Sequence, residues 1–137
     1  RAILPFMLAA KNGHIVNIGS IAGRWVYPGG GVYCASKFAV RALSEGLRMD
    51  LLGTPLRVTN IEPGMVETEF SKVRFGNSET AKKIYRGMQP LTGEDIADNI
   101  LWAVQAPKHV NIQELVIMPV AQAAIGLVHR EEAEKPS

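Results

Sequence analysis

A single cysteine, Cys34, stands in the whole chain, so no intrachain disulfide can form. That usage fits a reducing compartment, and the cytoplasm is the expected location. Cys34 follows Tyr33 in Tyr33-Cys34-Ala35-Ser36-Lys37 and reads as a small helix residue rather than a nucleophile. Histidine is scarce too. His14, His109 and His129 lie far apart and build no ligand cluster, so no metal is expected. An excess of one charge is also missing: 15 basic residues face 13 acidic ones, for a net charge of +2. With no basic block or aromatic-basic stripe, nucleic acid is not an expected partner. No apolar run approaches the ~20 residues of a membrane span. The apolar opening, Ala2 to Ala10, leads into Lys11-Asn12-Gly13 and a strand-like run, not into a cleavage site. With Arg at position 1, this opening reads as a cut inside a longer protein.

What is present is an alternation of elements. Ile3, Leu4, Met7 and Leu8 have helical spacing, with Pro5 awkward unless it lies near the helix start. His14 to Gly19 is short, β-branched and Gly-bounded, a buried strand. Ser20 to Val32 is a loop punctuated by Pro28-Gly29-Gly30-Gly31, whose spacing builds no phosphate cradle. A helix follows from about Tyr33 to Leu52, with Gly53 and Pro55 beyond it. Leu56 to Glu62 is a second strand, and Pro63-Gly64 opens a loop to about Asn77. Ala81, Ile84, Tyr85 and Met88 mark a short amphipathic helix. Thr92-Gly93-Glu94-Asp95 resembles a capping box ahead of the stripe Ile96, Ala97, Ile100, Leu101 and Val104. Leu115 to Met118 is a third strand, and residues 119–137 read as a tail. The order implies an α/β fold: three parallel strands with flanking helices, forming one domain over residues 1–137.

Three side chains carry candidate chemistry. Tyr33 and Lys37, four residues apart, leave one face of a helix. Ser20 ends a strand-like run in Gly19-Ser20-Ile21-Ala22-Gly23. A phenol with its ordinary pKa near ~10 is a poor base at neutral pH, and a nearby ammonium favours the phenolate. Phenol, ammonium and hydroxyl together can move a proton at an alcohol or carbonyl. The Tyr-x-x-x-Lys spacing alone is weak, since a helix-surface pair looks the same. The context strengthens it. Parallel sheets bind ligands at the carboxyl ends of their strands, and both Ser20 and Pro63-Gly64 lie at such ends.

With these motifs the chain resembles the carboxyl-terminal half of a short-chain dehydrogenase/reductase, from about Ala2 to Arg130. Ile61-Glu62-Pro63-Gly64-Met65-Val66-Glu67-Thr68-Glu69-Phe70-Ser71, Val73-Arg74-Phe75, His109-Val110-Asn111-Ile112 and Met118-Pro119-Val120 resemble its NADP-dependent 3-hydroxy acid (serine) dehydrogenases. The resemblance implies half of a Rossmann-like, doubly wound parallel sheet. It also implies hydride transfer between NADP, with NAD not excluded, and a small hydroxy acid or other alcohol or carbonyl. Tyr33 would be the general acid/base, Lys37 its partner and a ligand of the nicotinamide ribose, and Ser20 the holder of the substrate oxygen. Tyr33, Lys37, Pro63, Gly64, Met65, Val66 and Thr68 would line the cofactor, with amides near Met65 and Val66 on its carboxamide. A carboxylate substrate would need a cation, and Arg24 and Arg74 are the loop candidates, each of which also reads as a solvated surface arginine. Members of the family form homo-oligomers, and the same is expected of the full-length parent. The Gly-rich pyrophosphate turn and the asparagine of the family's tetrad would lie upstream of Arg1. That leaves two alternatives: an inactive truncated fragment, or a non-catalytic binding relative of the same fold. An epimerase or dehydratase would need a larger region after Pro63-Gly64.

Overall fold

A computed structural model describes residues 2–69 and 83–131. Helix α1 (Leu4–Ala9) leads to strand β1 (His14–Ile18) and a single 3-10 turn, Ile21–Gly23. Helix α2 (Gly31–Asp50) and strand β2 (Arg57–Pro63) follow, then helix α3 (Gly93–Gln105) and strand β3 (Glu114–Ile117). A small hairpin, β4 (Gln122–Ala124) and β5 (Leu127–Val128), comes last. The three expected strands and the helices α1, α2 and α3 form within one or two residues of their expected ends, whereas the short helix expected to reach Met88 ends at residue 85. Pro5 falls in the first turn of α1, where its missing N–H costs nothing. Phe70, Ser71, Val73, Arg74, Phe75 and Ala81 lie outside the described residues, and residues 83–85 are helical. The segment expected as a tail differs. Residues 122–128 fold back as the hairpin, where the buried Gln122 side chain accepts from the Met65 N–H just beyond β2.

The sheet is parallel, in the order β1-β2-β3, with Asn17 beside Asn60 and Asn60 beside Glu114. Strand β2 is central, and its residues from Val58 to Pro63 are all buried. Alternation assigns its faces. Val58, Asn60 and Glu62 share the face of Ile15, Asn17 and Glu114, and α2 and α1 cover it. There Leu51, Leu56 and Val58 form an apolar core with Leu4, Met7, Ile15 and Leu47. Cys34 is a buried thiol of α2, as expected of a small packing residue. Among the described residues β1 pairs only with β2, so its other edge is bare.

The opposite face carries Arg57, Thr59 and Ile61. Arg57 donates to the carbonyls of Val104 at 2.9 Å and Ala106 at 3.0 Å, placing a cation at the carboxyl end of α3. The other end of α3 is closed by the expected capping box. Thr92 accepts from the Asp95 N–H, and Asp95 accepts from the Thr92 N–H. The backbone and hydroxyl bonds from Thr92 hold the Asp95 carboxyl below its usual range.

His14 sits on this face as well. The Thr59 hydroxyl donates to the Ile112 carbonyl at 2.6 Å, so His14 Nε2, 2.7 Å away, must be the donor to Thr59. His14 Nδ1 is then a bare, buried acceptor with no partner among the described residues. Burial first, and the Arg57 charge second, push the imidazole below its ordinary 6.5. The linkage sign follows. Stability is full above pH 6.5 and is lost as pH falls from there through the lowered folded-state value. Denaturant midpoints measured between about pH 7 and pH 5 are therefore expected to fall, and His14→Gln to flatten that fall. An equal slope in the variant would refute it.

Candidate active site

Where β1 ends, the Gly19 N–H donates to the Ile61 carbonyl at 2.7 Å, extending the ladder one residue past the strand. Ser20 then turns off in an extended conformation and caps the 3-10 turn, accepting from the Ala22 N–H at 3.1 Å. Ile21 and Ala22 are buried against α2. Gly23 lies so close to that helix that a Cβ would stand 2.8 Å from the Lys37 carbonyl oxygen. The turn that carries Ser20 is thus seated on the helix that carries Lys37.

Tyr33 lies in the first turn of α2, which begins at Gly31, and Lys37 lies one turn further. Both are half-buried. Lys37 Nζ donates to the Ile18 carbonyl at 3.0 Å and sits 5.8 Å from the centre of the Tyr33 ring. Burial lowers the pKa of the Lys37 ammonium, since the charged form gives up water.

At the end of β2, the Gly64 N–H donates to Ile117 at 2.7 Å, and the chain then leaves the sheet. A Cβ on Gly64 would meet Gln122 Oε1 at 2.4 Å. That same oxygen accepts from the Met65 N–H at 2.8 Å. The Met65 amide, expected to face a carboxamide, is thus directed at Gln122, whose burial makes this bond the one the loop needs. Residues 65–67 then run beside Leu91, and the Tyr85 hydroxyl donates to the Val66 carbonyl at 2.7 Å.

Behind these elements lies an ionic cluster. Glu62, just before Pro63, has a fully buried side chain. It accepts from Arg24 Nε and, at 2.7 Å, from Asn60 Nδ2, with Arg41 Nε at 3.6 Å. Arg24 Nη2 also donates to Glu114, which accepts from Arg41 Nε at 3.0 Å. Burial alone would raise the Glu114 carboxyl, but the bonds from Arg41 and Arg24 outweigh it and hold the pKa below the usual range. Burial also works against the Arg24 charge, and Glu62 and Glu114 more than restore it. Arg24 is thus no loose cation for a substrate, because both faces of its fork are occupied by carboxylates.

Ser20, Tyr33, Lys37, Pro63, Gly64, Met65, Val66 and Thr68 all line one cleft of about 900 Å³. The structure brings together the catalytic and cofactor candidates named from the sequence, whereas Arg24 stands outside the cleft lining and Arg74 lies outside the described residues. Sequence reasoning missed Tyr27, Tyr85, Gln122 and Arg130, which also line it. Tyr27, packed over Gly30 beside Pro28-Gly29, had a turn signal next to it, whereas Gln122 and Arg130 stood in the supposed tail. Arg130 donates to the carbonyls of Ile84 and Arg86. Among the described residues no three His, Cys, Asp or Glu side chains cluster as metal ligands, and no helix is long and apolar enough to cross a membrane. Gly23→Ala would force the Ser20 turn off α2. It is expected to cost about 1–3 kcal/mol in urea unfolding, as overpacking does, and an unchanged midpoint would show that the turn yields freely.

Comparison with known proteins agrees with this geometry. The short chain dehydrogenase family profile matches residues 1–78. The NADP-dependent 3-hydroxy acid dehydrogenase YdfG of Escherichia coli (strain K12) is 52% identical over 134 residues, covering 96% of this chain and 54% of that protein. Serine 3-dehydrogenase of Agrobacterium fabrum (strain C58 / ATCC 33970) is 47% identical over 131 residues, covering 94% of this chain and 52% of its own length. A solved closed form of serine dehydrogenase complexed with NADP+ superposes with a TM-score of 0.89 at 52% identity, over 96% of this chain and 54% of that one. The chain spans about half the length of the curated relatives it matches. With more than half its residues under the family profile and its strand-end cleft intact, the chain belongs to the short-chain dehydrogenase family.

Proposed function

We propose that this chain is the catalytic half of an NADP-dependent oxidoreductase that acts on a small 3-hydroxy acid, such as L-serine or 3-hydroxypropanoate, or on the matching semialdehyde. One observation carries the reading: Ser20, Tyr33, Lys37 and the Pro63-Gly64 loop, remote in sequence, line one cleft. The names of the similar relatives support the cofactor and the substrate class.

The cleft fits the nicotinamide-ribose end of a dinucleotide. Lys37 keeps two N–H protons after its bond to Ile18, enough for ribose hydroxyls, and Val66 and Thr68 flank the loop where the carboxamide would lie. When bound, the nicotinamide gives or takes the hydride. The protein orients the substrate and moves the proton. Ser20 Oγ accepts from the Ala22 N–H, which leaves its own proton to donate to the substrate oxygen. The Tyr33 hydroxyl gives a proton to that oxygen in reduction and takes it in oxidation. The Lys37 ammonium stabilises negative charge that develops on the phenol oxygen. Arg130 is, with Lys37, one of the two cations lining the cleft among the described residues; its terminal nitrogens bond the Ile84 and Arg86 carbonyls, but no carboxylate pairs its charge there, and it is the group offered to the substrate carboxylate. The full-length protein works in the cytoplasm as a homo-oligomer.

The test is turnover of the full-length protein with NADP and a panel of hydroxy acids, sugars and steroids. Turnover of sugars or steroids without hydroxy acids would reject the substrate class. Tyr33→Phe keeps the ring and removes the proton. It is expected to lower kcat by at least about 100-fold with NADPH binding retained, whereas Lys37→Ala loses both. Near-normal kcat in Tyr33→Phe would reject the assignment.

The 137-residue chain expressed alone is expected to associate through the bare edge of β1 and to bind no NADPH in the micromolar range. Size exclusion, thermal melting and NADPH titration check this. A monomer with a cooperative melt and micromolar binding would refute it.

A further inference from the structure

We propose that Arg24, clamped between Glu62 and Glu114, is a positioning residue that sets Ser20 against the other groups of the cleft. The inference rests on the function proposed above. The clamp joins every element that carries a candidate catalytic group. Arg24 closes the turn that Ser20 opens: the Gly23 N–H donates to the Ser20 carbonyl at 2.8 Å, and the Arg24 N–H donates to Ile21 at 2.9 Å. Glu62 immediately precedes Pro63-Gly64 at the end of β2. Arg41, which donates to Glu114, stands one turn beyond Lys37 on α2.

Only a guanidinium fits this place. Its planar fork reaches two carboxylates from two strands at once, Nε to Glu62 and Nη2 to Glu114. An ammonium is a point donor and holds one geometry less firmly. Apolar packing of Ile21 and Ala22 seats the turn but permits it to slide, because dispersion has little direction. The ionic fork does have direction, and it fixes the turn relative to the strand ends. Since a misplacement of about 1 Å can cost on the order of 100-fold in rate, a clamp that never touches substrate can still govern turnover.

The experiment uses the full-length protein with Arg24→Met, which keeps the length of the side chain, and Arg24→Lys. Amide hydrogen exchange at Ala22, Gly23 and Arg24 is read against the amides of α3, with kcat and the NADPH dissociation constant measured on the same samples. Arg24→Met is expected to speed exchange at the three turn amides at least about tenfold with α3 unchanged, and to lower kcat by about 10–100-fold. NADPH affinity should stay within about twofold, and Arg24→Lys should recover part of the loss. If Arg24→Met does not fold, Glu114→Ala removes the acceptor of one arm of the clamp and should give the same local signature at smaller size. Turn amides that keep their wild-type rates would overturn the proposal, and so would faster exchange with unchanged kcat. A wild-type protein that turns over no alcohol would instead reject the proposed function, and the exchange readout would then decide whether the clamp holds the turn.

Discussion

The Glu62 carboxylate lies wholly out of water at the end of the central strand, and a charge so placed must have its partners brought to it. Those partners come from the Ser20 turn, from α2 and from β2 itself. A buried ion pair is weak evidence for stability, because desolvation offsets most of its Coulomb gain. Its physical value here is geometric. Once the carboxylate is buried, Arg24 and Arg41 can satisfy it in few arrangements, and those arrangements hold the Ser20 turn, the middle of α2 and the end of β2 together.

The cleft forms on the far side of the same constraint. Parallel strands end together, so the loops after β1 and β2 leave the sheet side by side. Close approach makes the space usable. The Ser20 turn lies against α2 because Gly23 has no side chain, and the Pro63-Gly64 loop accepts Gln122 because Gly64 has none. Gln122 in turn belongs to a hairpin that closes over the loop from the carboxyl-terminal side. Helix α3 lines the remaining wall with Ile96, Ala97 and Ile100, held at one end by its capping box and at the other by Arg57.

Much of this was legible before any coordinates. The alternation of β-branched runs with amphipathic stripes determined the α/β class, and turn residues set the element ends to within a residue or two. Local spacing placed Tyr33 and Lys37 on one helix face, since a helix repeats every 3.6 residues whatever surrounds it. The strand-end positions of Ser20 and Pro63-Gly64 pointed to a shared cleft, because the topology of a parallel sheet dictates where such ends meet.

Tertiary structure alone decided the pairing of charges and the fate of the last segment. Arg24 reads as a free loop cation in the sequence, and nothing near it shows that Glu62 and Glu114, 38 and 90 residues away, close on its fork. Residues 122–128 carry no strong pattern, so only the buried acceptor of Gln122 beside Gly64 and Met65 explains why they fold back. Sequence patterns record interactions along one helix or strand, whereas a buried ion pair or a long-range amide contact depends on where separate elements end in space.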